Sequence, residues 1–203
     1  MSQEAIEIIR QLDMRKIENQ FVFQCAPLIA GLRISNLFII RKNSLRRLCS
    51  LLQMGGIRCR LLFQEEDRLT VLLYHASMLS IYLRGKRARN LLIREGYEEF
   101  GVNAVLCLFT RRYRQYREGR QPFPHELGLL LGYPLEDVEG FIQNEGKNCL
   151  YTGYWKVYAN VPAKRHLFRK YESAREDLMK QICQGTEVEQ VLRKGRYLVF
   201  TNP

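Results

Sequence analysis

Residues 123–142 read FPHELGLLLGYPLEDVEGFI. The pattern spells an apolar helix, a tight turn at Gly132-Tyr133-Pro134, and a second amphipathic helix. The spacing of Leu131, Gly132, Tyr133 and Pro134 ahead of Val138 is that of a DNA-reading helix-turn-helix. The chemistry opposes that use. A recognition helix must approach a duplex carrying one negative charge per ~1.7 Å. Here the second helix would present Glu136, Asp137 and Glu139, with Gly140 in its middle. No arginine or glutamine is placed to read base edges. The pair is therefore expected to be structural, its acids packing beside the arginine-rich RRYRQYREGR at 111–120.

On either side, the apolar periodicity predicts the remaining elements. Ala5, Ile8, Ile9 and Leu12 fall at helical spacing, and a second helix is expected over 16–24. Pro27 is expected to open a short turn that Gly31 closes. SNLFIIR (35–41) reads as a buried strand, and LRRLCSLLQM as a helix ending at Gly55-Gly56. IRCRLLF, the turn EED and RLTVLLYH form a β-hairpin. Helices are predicted over 77–94 and 98–118, a strand over YTGYWKVYA (151–159), a long helix over 162–183 and a short one over 188–193. YLVFT (197–201) reads as a strand or a tail. The fold class is α+β, a largely antiparallel sheet of three or four strands covered by helices. One domain is expected over 1–203, with 1–15 and 185–203 as peripheral extensions.

Composition narrows the function classes. Hydrophobic residues make up 46 % and aromatics 11 % of 203 residues, enough for a packed core. No apolar run reaches membrane-spanning length, so no membrane partner is expected. The acidic, amphipathic start MSQEAIEIIRQLD lacks the order of a secretion signal, and a cytoplasmic protein is expected. Six cysteines without a CxxC pair then read as reduced thiols. The net charge of +11 favours an anionic partner. Basic clusters at Arg46–Arg47, Arg84–Arg89, Arg111–Arg117 and Lys164–Lys170 carry it, with Arg111 and Arg114 as candidate ligand-binding residues.

Several stretches occur together in order: FQCAPLIAGLRISNLF, GGIRCRLLF, REGY, the 123–142 segment and GYWKVY. In these the chain resembles a domain-of-unknown-function family found mainly in anaerobic Firmicutes, over roughly residues 18–175. The resemblance implies a cytoplasmic protein in a genomic setting near flavodoxin and iron-handling genes. It implies no established activity. Two positions depart from the family's pattern: Gln24 stands where histidine is usual, and Thr152 where cysteine is usual.

Candidate sites follow. Cys25, ahead of the helix that Pro27 would open, would feel a helix N-terminus that favours the thiolate. The competing reading is a small buried residue. His125 and Glu126 follow Pro124 at another helix start, where a neutral histidine suits a general base. Together they make a possible thiol enzyme: Cys25 as nucleophile, His125 as base and Glu126 orienting it. Tyr154, Lys156 and Tyr158 would share one strand face and Trp155 the other, which raises base stacking by single-stranded nucleic acid. His75, His125 and His166 are too dispersed to specify a metal, and no phosphate loop is present, so no metal or cofactor is predicted. The lead expectation is binding of an anionic small ligand or an acidic protein such as a flavodoxin, in iron or redox metabolism. Nucleic acid ranks below both.

Overall fold

The structure, a computed structural model, describes residue 10 and residues 12–201, the last five by backbone alone. The helix expected over 3–12 lies outside the described residues. The chain runs through α1 (Ile17–Ile29), β1 (Ser35–Arg41), a 3-10 turn, α2 (Leu45–Gly55), β2 (Arg58–Glu65) and β3 (Arg68–Tyr74). Then come α3 (Ala76–Arg84), α4 (Lys86–Arg94), α5 (Val102–Arg117), α6 (Leu127–Leu130) and α7 (Leu135–Gln143). Two short strands, β4 (Tyr151–Thr152) and β5 (Lys156–Val157), precede α8 (Val161–Cys183) and α9 (Val188–Thr201). This is an α+β fold.

The sheet is antiparallel with β3 in the centre, between β1 and β2. Leu69 through Tyr74 are all buried, as a strand covered on both faces requires. Side chains alternate across it and feed two cores. Leu69, Val71 and Leu73 meet Phe21, Leu28 and Leu51 from α1 and α2, with Met179 of α8 and Leu192 of α9. On the other face Leu72 and Tyr74 meet Leu79 and Leu83 of α3, Leu91 of α4, Phe109 of α5 and Leu129 of α6. A bulge at Leu62 leaves its carbonyl outside the ladder, and Arg114 Nε donates to it at 3.2 Å.

Four expectations change. The helix over 77–94 is two helices, parted at Gly85, whose extended backbone (ψ 134°) cannot continue a helix. The segment YTGYWKVYA is a small antiparallel hairpin, Tyr151 facing Val157, instead of one strand. YLVFT continues α9 as helix. Residues 185–203 are not wholly peripheral, because Val188, Val191 and Leu192 are buried in the first core.

Candidate functional site

Cys25 lies in the interior of α1, since the helix continues through Pro27 to Ile29. A proline inside a helix costs ~3 kcal/mol. Phe21, Val22, Leu28 and Ile29 are each at most 2 % exposed, and burying each such side chain contributes ~1.5–3 kcal/mol. Burial wins, and the helix ends one turn later: Leu32 N–H donates to Pro27 O (2.8 Å) and Gly31 N–H to Leu28 O (3.0 Å). Gly31, at φ 69°, closes the turn as expected. Cys25 therefore has no helix N-terminus beside it. It is fully buried, its Sγ takes a hydrogen bond from Asn36 Nδ2 at 3.3 Å, and burial pushes the thiol up to about 12.

The helix-turn-helix stretch forms, but α6 is a single turn. Gly132 adopts φ 68° between the helices, and Tyr133 N–H closes the turn on Gly128 O at 3.0 Å. Every acid of α7 named above is engaged internally. Glu136 Oε1 takes Lys164 Nζ at 2.5 Å, and Glu139 pairs with Arg87 (2.9 Å) and Arg94 (2.8 Å). Their partners lie mainly on α4 and α8. The expected partner segment 111–120 contributes only Arg112, which reaches back to Glu126. Gly140 is open because Tyr158 packs there; a Cβ would fall 2.5 Å from Tyr158 Cβ.

Asp137 is buried and works as a clasp. Its Oδ2 accepts from Trp155 Nε1 at 2.8 Å, and its Oδ1 from the backbone N–H of Tyr158 (2.8 Å) and Ala159 (3.2 Å). This draws the β4–β5 hairpin onto α7. Trp155 stacks on Tyr133 (centroids 4.7 Å, 24°) and meets Phe168 edge-on at 4.5 Å. It is 8 % exposed and packed in an aromatic cluster, while of the face expected to be open Tyr154 and Tyr158 are half-buried and Lys156 is exposed. Lys156 Nζ is tied to Gly146 O at 2.7 Å, and Tyr158 packs edge-on to Phe141.

His125 stands between two cavities. On one side, a cleft of about 570 Å³ is lined by Arg94, Glu95, Arg111, Arg112, Phe123 and Glu126, among others. On the other, a smaller apolar chamber of about 260 Å³ reaches Tyr133, Phe141, Tyr154 and Trp155. Phe123 and His125 line both. The imidazole lies 5.6 Å, centroid to centroid, from each of Phe123 and Phe141, and its buried Nδ1 has no hydrogen-bond partner.

Glu126, 1 % exposed, does not orient His125. Its Oε1 accepts from Tyr97 Oη at 3.0 Å and from Arg112 Nη1 at 3.1 Å. It thereby fixes a guanidinium at the cleft wall, and the Tyr97 phenol beside this carboxylate is pushed up by burial and by the negative charge. Arg94 is fixed in turn by Glu139. Arg111 is exposed and forms no ion pair among the described residues. Arg114 is spent on the Leu62 carbonyl. None of the clefts described here is lined by Cys25, and the structure does not bring Cys25 and His125 together in one.

The residues that sequence patterns missed are Phe123, Tyr133 and Phe141, while Arg112 fell within the basic cluster 111–117 without being singled out. Phe123 and His125 are two apart, the spacing of one strand face, but Pro122 and Pro124 on either side of Phe123 argue against reading the segment as a strand. Among the described residues no group of three or more His, Cys, Asp or Glu comes together to hold a metal, and no helix is long and apolar enough to cross a membrane. Thr152 Oγ1 sits 3.4 Å from Cys149 Sγ, so at this position the chain offers one thiol and a hydroxyl.

Residues 21–192 match the family described as "Protein of unknown function (DUF3793)". The chain belongs to this family. The match takes in the second core, the buried residues of the first except Ile17, the Asp137–Trp155 clasp and every residue that lines the two cavities around His125. No curated protein and no solved structure matches this DUF3793 member.

Proposed function

We propose that the protein binds an anionic small molecule, with the acid group held in the cleft beside His125. One observation carries this reading: Arg111 is exposed and unpaired among the described residues, next to two arginines already fixed by Glu126 and Glu139. Three guanidinium groups face two carboxylates, Glu95 and Glu126, across the same cleft. Arginine presents a planar fork that matches carboxylate and phosphate oxygens, and pre-fixing two of the forks lowers the ordering cost of binding. The family resemblance, with its flavodoxin and iron-handling setting, supports a place in redox or iron metabolism.

The test is titration calorimetry of the wild-type chain and Arg111→Gln with inorganic phosphate and with small carboxylates. Binding that weakens about tenfold in the variant, and with rising salt, is the expected result. Equal binding by both proteins overturns the reading.

An acidic protein partner is favoured by a different observation. Ile81 on α3 is 64 % exposed and Ile93 on α4 is 52 % exposed, on helices that also present Arg84, Lys86 and Arg89. Apolar side chains within a basic surface suit an acidic protein. Loss of binding to a purified flavodoxin on Arg84→Glu and Arg89→Glu is the expected result; unchanged binding sinks it. The thiol-enzyme reading is weakened by the enclosure of Cys25, and base stacking by the packing of Tyr154 against Phe168 and Tyr171 and of Tyr158 against Phe141.

A further inference from the structure

The apolar chamber behind His125 adds a second requirement to the ligand. We infer that the molecule bound is a planar heteroaromatic acid, its ring in the apolar chamber and its phosphate or carboxylate among the arginines. This rests on the cleft reading above and extends it.

Three observations converge. First, half of the residues that line the chamber carry rings: Phe123, Tyr133, Phe141, Tyr154 and Trp155, with His125. Aromatic walls favour a flat aromatic guest by offset stacking and edge contacts. Second, those walls are braced. Trp155 is stacked on Tyr133, flanked by Phe168 and hydrogen-bonded to Asp137, so it does not swing in to fill the space. Third, two of the lining side chains carry buried polar atoms with no partner, His125 Nδ1 and Tyr154 Oη. Native structures rarely leave such atoms unpaired, because each costs ~1–3 kcal/mol. A hydrocarbon guest would leave them so. Neither atom has open surface in the free chain, so a ring bearing nitrogen or carbonyl groups satisfies them once His125 and Tyr154 turn toward it. The Tyr154 hydroxyl acts as a donor, and the imidazole takes whichever role the ring atom opposite demands.

The acid end follows from the shared wall. Phe123 and His125 line both spaces, so a guest seated against His125 has the arginine cleft adjoining it. A ring without an acid leaves Arg111 uncompensated. An acid without a ring leaves the chamber and its two orphaned atoms unused.

Trp155 is the chain's only tryptophan, so its fluorescence reports directly on the chamber. The experiment titrates the full chain with a panel of purine, pyrimidine, pyridine and quinoline phosphates and carboxylates. Each is paired with its ring-only and acid-only counterpart. The expected result is saturable quenching of Trp155 by at least one linked compound, about tenfold tighter than either counterpart. His125→Phe and Tyr154→Phe should each weaken that compound by about tenfold, and Tyr154→Phe, at a residue that lines the chamber and not the arginine cleft, should leave the acid-only fragment's affinity unchanged. Tyr154→Phe keeps the ring and His125→Phe keeps a flat aromatic side chain, and thermal unfolding confirms that both variants fold.

Acid-only fragments that bind as tightly as every linked compound, still depend on Arg111 and leave Trp155 unperturbed would overturn this inference and preserve the cleft reading. No Arg111-dependent binding of any acid would overturn both. Quenching by a single-stranded oligonucleotide with no response to the small molecules would overturn the inference in favour of a macromolecular ligand.

Discussion

Cys25 and His125 each lie beside a proline, and each has the chemistry of a catalytic side chain, yet the fold treats them in opposite ways. Cys25 is sealed among Phe21, Phe38 and Leu28, with one hydrogen bond from Asn36. His125 stands in the wall between two cavities with Nδ1 unsatisfied. The proline does not make the difference. Around Cys25 the chain has enough large apolar side chains to carry α1 through Pro27. Around Pro124 it has only a one-turn helix, and the irregular segment before it leaves space on both sides. Local backbone punctuation predicts where a chain bends; whether a side chain meets solvent is set by what packs over it.

The largest effect that separates the two regions is thiol reactivity. Burial pushes the Cys25 thiol from 9.0 up to about 12, which lowers its thiolate fraction near neutrality about a thousandfold before access is considered. Iodoacetamide mapped by mass spectrometry should label exposed Cys49 and Cys107 first and Cys25 last. Early labelling of Cys25 in folded protein would mean that the first core opens and would revive the thiol chemistry.

On the His125 side the largest effect is expected at Asp137. Asp137→Ala strands Trp155 Nε1 and two backbone N–H groups and leaves Lys164 Nζ with Glu136 alone. A loss of ~3 kcal/mol or more in denaturant unfolding is expected, with Trp155 emission shifted to the red. Unfolding within ~0.5 kcal/mol of wild type would show that ring packing alone holds the hairpin.

How much of this was legible in the sequence depends on the range of the interactions. The β2–β3 hairpin, β1 and α2 were readable because alternation and Gly55-Gly56 act over a few residues. The acidity of α7 was readable as an argument against DNA, since Glu136, Asp137 and Glu139 are fixed by composition. Their partners were not, because Lys164 and Arg87 lie dozens of residues away in sequence. The same holds for Glu126. Adjacency to His125 suggested an orienting carboxylate, but in an irregular turn neighbouring side chains diverge, and Glu126 finds Arg112 on α5 instead. The hairpin at 151–157 was hidden because YTGYWKVYA alternates acceptably as one strand; the bend at Gly153 shows only when Phe168 packs against it.

A smaller effect tests whether Glu126 serves the cleft or only the core. Glu126→Gln keeps an acceptor for Tyr97 and removes the charge opposite Arg112, which is 29 % exposed and so partly screened. Stability should fall by ~1–2 kcal/mol. Affinity for anions should rise, because a negative charge leaves the cleft while Arg111 stays. Weaker anion binding at intact stability would mean that the position of Arg112 matters more than the local charge balance.

The smallest effect returns to the sealed side. His75 is buried and its ring Nε2 lies 2.8 Å from Leu28 O, on the same helix as Cys25. Burial, the larger influence, lowers its pKa from 6.5, against a smaller upward pull from that carbonyl. The folded chain therefore prefers the neutral ring, with Nε2–H donating to Leu28 O. A base with a depressed folded-state pKa contributes stability that is complete above its unfolded value near 6.5 and fades as pH falls through the folded value. Wild-type chain should accordingly lose some stability as pH falls below 6.5, and His75→Gln, which keeps a donor but does not titrate, should show a shallower slope there. Parallel slopes for the two proteins would mean that the carbonyl's pull on the protonated ring offsets the cost of burying it, and that α1 tolerates a charge beside Leu28.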